Sequence, residues 1–75
     1  MEFDARKFIV ETMLKNLYFC IYKNNRRGSR DIKCYVNNIA ESIPMKDNIE
    51  NTLTKYGVLY KSRYSDNALI FKLKK

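Results

Sequence analysis

The sequence predicts an α+β domain in which three helices are followed by a C-terminal β-hairpin. Apolar residues recur at three- and four-residue steps along two stretches, Ile9 to Ile21 and Ile32 to Ile43. A third stretch, Asp47 to Gly57, carries both a helix start and a helix stop. Beyond it, two short alternating runs flank Ser65-Asp66-Asn67, as the strands of a hairpin flank their turn. The 75 residues make one small domain, residues 1–75, near the size at which a single core only just outweighs chain entropy. An apolar content of 45%, with 13% aromatic, is that of a folded chain rather than a disordered one. There is no repeat, low-complexity segment or interdomain linker.

Asp4 can cap a first helix whose core face holds Ile9, Val10, Met13, Leu14, Leu17 and Ile21. If this helix runs on to Lys23, Phe8 and Phe19 stand nearly in line on its opposite side, where a second copy of the chain could cover them. The competing reading ends the helix near Asn16 and makes Tyr18-Phe19-Cys20-Ile21-Tyr22, rich in β-formers, a strand. The long helix is the favoured of the two. Asn24 to Arg30 has loop composition, and its Arg26, Arg27 and Arg30 have no acid nearby until Asp31.

From Ile32 the apolar repeat predicts a second helix over most of residues 31–43, with Ile32-Lys33-Cys34 as a short strand the alternative. Pro44-Met45-Lys46 then reads as a tight turn. In the third helix, Asp47 and Glu50 have N-cap and N3 spacing, Ile49, Leu53 and Tyr56 share a face, and Gly57 suits a left-handed C-cap. With Asp66-Asn67 as a two-residue turn, Tyr64 lies opposite Leu69, Ser62 opposite Phe71 and Tyr60 opposite Leu73, forming the inner face of the hairpin. Its outer face sets Lys61 opposite Lys72, Arg63 opposite Ile70, and Lys74 near Leu59. Directly opposed lysines cost a few tenths of a kcal/mol on a ribbon, which an anion lying over them would offset. The predicted core is Val10, Leu14, Leu17, Val36, Ile39, Ile49, Leu53, Leu69 and Phe71.

The order helix, helix-turn-helix, hairpin over the second half of the chain resembles the winged helix-turn-helix family. That resemblance implies a double-stranded DNA partner, with the second helix of the motif in the major groove and the wing on the backbone. It assigns base and phosphate contacts to Lys46, Asn48, Asn51 and Lys55 on the helix, and phosphate contacts to Lys61, Arg63, Lys72 and Lys74 on the wing. Such lone basic modules serve as small transcriptional regulators or accessory factors, often of a phage, plasmid or virus, and others act as protein-docking modules. Structured RNA and Z-form nucleic acid rank lower, since the hairpin lacks the Pro-Pro and tryptophan of Z-form readers.

Charge points the same way independently of that resemblance. The formal charge is +7, and it is unevenly spread. The segment 24–30 has three basic residues and no acid, and 58–75 has five against one. The segment 31–57 has three basic residues against four acidic. The positive potential expected of a polyanion binder therefore lies on the arginine loop and the hairpin, not on the central helices.

Catalytic chemistry has little to work with. There is no histidine to activate a serine or cysteine, the carboxylates show no pairing, and Gly28 and Gly57 stand alone rather than in a phosphate-cradling loop. A binding protein without cofactor or metal is expected. Cys20 and Cys34 are read as two free, partly buried thiols in preference to a disulfide, because nothing marks the chain as secreted. No apolar run approaches the roughly 20 residues that span a bilayer, so no membrane is expected and the cytoplasm, or a eukaryotic nucleus, is the expected location.

Overall fold

A computed structural model describes residues 3–24 and 30–74, with the backbone alone at Lys23, Asn24 and Arg30. The order helix, strand, strand occurs twice: α1 (Ala5–Lys15), β1 (Phe19–Asn24), β2 (Arg30–Tyr35), α2 (Ile39–Lys55), β3 (Tyr60–Ser65) and β4 (Ala68–Leu73). The strands form one antiparallel sheet in the order β1-β2-β4-β3, so each half contributes a hairpin and the two hairpins join along β2 and β4. Two helices over a four-stranded sheet replace the expected three helices and wing, and the winged-helix architecture is overturned.

Asp4 caps α1 as expected, its Oδ1 accepting the Lys7 N–H at 3.0 Å. The helix stops at Lys15 rather than running to Lys23, and the residues that would have extended it form β1. Its end is a Schellman closure: Leu17 N–H donates to the Leu14 carbonyl and Tyr18 N–H to that of Met13, both at 2.9 Å. This geometry needs a left-handed residue after the cap, and Leu17 supplies it with φ of +66°. At the end of α2 the same bonds run from Gly57 to Thr54 and from Val58 to Leu53, with Gly57 at φ +71°. One closure has the residue that tolerates this conformation and the other does not. Leu17 is 92% exposed, so its side chain has little burial to set against the strain. Leu17→Gly should stabilise the fold by about 1 kcal/mol, read as a melting point several degrees higher. An unchanged or lower melting point would show that the leucine makes a compensating contact.

The expected helix over residues 31–43 and the turn at Pro44 are also corrected. Ile32-Lys33-Cys34 lies in β2, and α2 runs unbroken through Pro44. Its N-cap is Asn38, whose Oδ1 accepts the Glu41 N–H at 3.4 Å, so Asp47 and Glu50 sit mid-helix and cap nothing. Proline in the second turn forfeits the backbone bond to the Ala40 carbonyl, one loss that a helix of 17 residues carries.

The core lies between the helices and one face of the sheet. Ile9 and Met13 of α1, Ile49 and Leu53 of α2, and Ile32, Cys34, Leu69 and Phe71 of the sheet are fully buried, with Val36 and Leu73 nearly so. Of the predicted core, Val36, Ile49, Leu53, Leu69 and Phe71 hold their places and Val10 is partly buried. Leu14 and Leu17 are exposed because ending α1 at Lys15 leaves a narrower stripe centred on Ile9 and Met13, with Leu14 turned roughly 100° away, and Ile39, the first residue of α2, is exposed too.

Two hydrogen-bond pairs fix α2 over β3. The Ser42 hydroxyl, fully buried, donates to the Ile39 carbonyl at 2.7 Å and so accepts from the Tyr64 hydroxyl at 2.8 Å. The Glu50 carboxylate accepts from Lys46 at 3.0 Å through Oε1 and from the Ser62 hydroxyl through Oε2.

Candidate nucleic-acid interface

Because side chains alternate across a strand, the pairing register sorts every sheet residue onto one of two faces. The face toward the helices holds Cys20, Cys34, Leu69 and Tyr64 in one row and Tyr22, Ile32, Phe71 and Ser62 in another. Among the described residues no helix lies over the opposite face. Reading from β1 to β3, its rows are Phe19, Tyr35, Ala68 and Ser65; then Ile21, Lys33, Ile70 and Arg63; then, from β2 on, Asp31, Lys72 and Lys61. With strands about 4.8 Å apart, this open face is roughly 14 Å across.

The hairpin register is the one expected from the Asp66-Asn67 turn, whose residues have φ of +50° and +61°. Lys61, Arg63 and Lys72 therefore share a single face, and Lys33 joins them from β2. Among the described side chains Asp31 is the one acid in these rows, and its Oδ1 is buried with no hydrogen-bond partner among the described residues. Lys61 and Arg63 are exposed, while Lys33 and Lys72 are half-buried. Lys74, exposed just beyond β4, donates its backbone N–H to the Leu59 carbonyl, as the expected pairing of those residues requires.

The other expected contacts lie elsewhere. On α2 the helical period puts Asn48, Asn51 and Lys55 on the side away from the sheet, and all three are exposed. Lys46 is committed to Glu50, and the Lys55 ammonium sits 5.8 Å from the Tyr56 ring centre. The helix set and the strand set thus occupy opposite sides of the molecule. A single straight partner reaches one or the other, so the arrangement of recognition helix beside wing is corrected. Arg26 and Arg27 lie outside the described residues, and Arg30 is described only as the backbone that opens β2.

Phe8 and Phe19 no longer form a stripe. Phe8 is half-buried on α1 with its ring 5.5 Å from that of Phe3, which in turn stacks on Tyr56 at 4.1 Å. Phe19 is 66% exposed on the open sheet face, in another layer. The surface expected for a dimer through the first helix is therefore divided between two faces.

The reading of two free thiols is also corrected: Cys20 and Cys34 are directly paired across β1 and β2 and joined as a disulfide. The signal was present, since a hairpin around the arginine loop makes these residues partners, but the favoured helices on both sides of that loop hid it.

A shallow cleft of about 350 Å³ beside α1 is lined by Asp4, Arg6, Lys7, Val10, Glu11 and Tyr22. Its mixture of two cations and two acids gives no preference for either sign of ligand. No protein-family model matches the chain, and no curated protein matches it. No helix is long and apolar enough to cross a membrane among the described residues.

Proposed function

We propose that this protein is a nucleic-acid-binding module that uses the open face of its sheet. One observation carries the reading: Lys33, Lys61, Arg63 and Lys72 come from three strands and two hairpins, yet the register gathers them on the one broad surface that no helix covers. Cations spread over a flat face fit a chain of phosphates better than a small anion, which would call for a pocket. The module binds rather than catalyses, and its partner implies the cytoplasm or a nucleus as its place of action. Duplex DNA remains within this reading, because a sheet face can also approach a duplex, but a recognition helix no longer forms part of it.

The test is the salt dependence of binding to oligonucleotides. Each phosphate contact contributes roughly 0.7 to 0.9 to the slope of log affinity against log salt. Replacing Lys61 and Arg63 together by glutamine should flatten that slope by about 1.4 to 1.8 units, whereas Asn48→Ala with Asn51→Ala should leave it unchanged. If the Lys61 and Arg63 variant keeps both affinity and slope, the sheet face is not the phosphate surface. Docking of a protein on the exposed Leu17 and Phe19 is the second reading, and such binding would be nearly indifferent to salt.

A further inference from the structure

We infer that the nucleic acid taken by this face is an unpaired strand, whose bases stack on Phe19 and Tyr35. The inference rests on the nucleic-acid reading above and adds what the cations cannot supply. Phe19 and Tyr35 are directly opposite each other on β1 and β2, and both project from the open face. Phe19 is 66% exposed and Tyr35 41%. Apolar rings left this open raise the free energy of the isolated protein unless something covers them.

The neighbouring charges decide what covers them. The next row on the same face holds Lys33 and Arg63, and the row beyond it Lys72 and Lys61. The Lys33 ammonium lies 5.2 Å from the centre of the Tyr35 ring. A partner must therefore present flat apolar surface and negative charge side by side, repeated over about a dozen ångströms. An unpaired oligonucleotide does so, offering a π-face on every base and a phosphate between each. A duplex does not, because its base faces are consumed in its own stack and only edges and phosphates remain. A second copy of this chain would bring its own cations against these and be repelled.

The platform is also held in place. Cys20 and Cys34 are the residues adjacent to Phe19 and Tyr35, and their disulfide ties β1 to β2 beside the two rings. The rings therefore meet a base from backbones already fixed in spacing, which lowers the ordering cost of binding.

Fluorescence anisotropy with labelled oligothymidylate, oligouridylate, an abasic strand of the same length and a duplex of the same length tests this at two salt concentrations. The wild type should bind the base-bearing single strands more tightly than the abasic strand and the duplex. Phe19→Ala should weaken single-strand binding roughly 5- to 150-fold, Tyr35→Ala similarly, and neither should change duplex binding or the salt slope. Phe19→Leu, which keeps the site apolar, should recover little of the loss and also guards against an effect on folding, with circular dichroism confirming the fold. Duplex bound as tightly as single strands, with both alanine variants unaffected, overturns the inference and leaves the nucleic-acid reading standing. No salt-sensitive binding to any of the four probes overturns both. The thymidylate and uridylate arms separate DNA from RNA within the same chemistry.

Discussion

Phe71→Ala should lose about 3 to 5 kcal/mol of folding stability in urea denaturation. Phe71 is the largest of the fully buried side chains, and it sits on β4 between Ile32 and Ser62 on the face that both helices cover. Removing its ring forfeits the transfer free energy of the ring and leaves a cavity, since strands paired on both sides have little freedom to close it. A domain of 75 residues has a total stability of roughly 4 to 11 kcal/mol, so the variant should lose between about a quarter and all of it. A measured loss below about 1.5 kcal/mol would mean that the helices do not close over the centre of the sheet.

Reducing the disulfide should have the next largest effect. Cys20 and Cys34 are separated by 14 positions, and constraining a loop of this length in the unfolded chain stabilises the native state by about 3 kcal/mol on the chain-entropy model. Thermal unfolding with and without a phosphine reductant should then differ by on the order of 10 to 20 °C. The native pairing of β1 with β2 should survive reduction at low temperature, because five other residue pairs hold the same hairpin. A melting point that moves by less than about 2 °C would show that the bond constrains nothing the hairpin does not already constrain.

The hairpin β3-β4 was legible residue by residue, since Asp66-Asn67 tolerates positive φ and the flanking alternation has a single register that buries Leu69, Phe71 and Leu73 together. The N-cap at Asp4 and the stop at Gly57 were legible for the same reason, each being a local bond pattern with a matching residue. The end of α1 was not, because Leu17 occupies a position where glycine is the usual sign. Pro44 misled in the opposite direction: it suggested a turn inside what is one helix, while Asn38 and Glu41, with the spacing of a helix start, went unread. Reading residues 18–23 and most of 31–43 as helix puts the first hairpin and its disulfide out of reach. Of the cations on the open face, Lys61, Arg63 and Lys72 are legible in the sequence, whereas Lys33 and the aromatic pair are not, because Lys33 joins that face and Phe19 and Tyr35 become neighbours only through the pairing of β2 with β4 and β1.

The sheet described above is open, with β1 and β3 at its margins. Each margin leaves backbone donors and acceptors free to template a strand from another molecule, a liability that soluble proteins limit by placing charge there. On β3 the exposed Lys61 and Arg63 fill that role, and mutual repulsion between molecules of formal charge +7 keeps two such margins from meeting. Phe19 and Ile21, exposed on the β1 margin, are apolar and add no charge of their own there. Colloidal stability thus rests in part on Lys61 and Arg63, and neutralising them removes a barrier to aggregation.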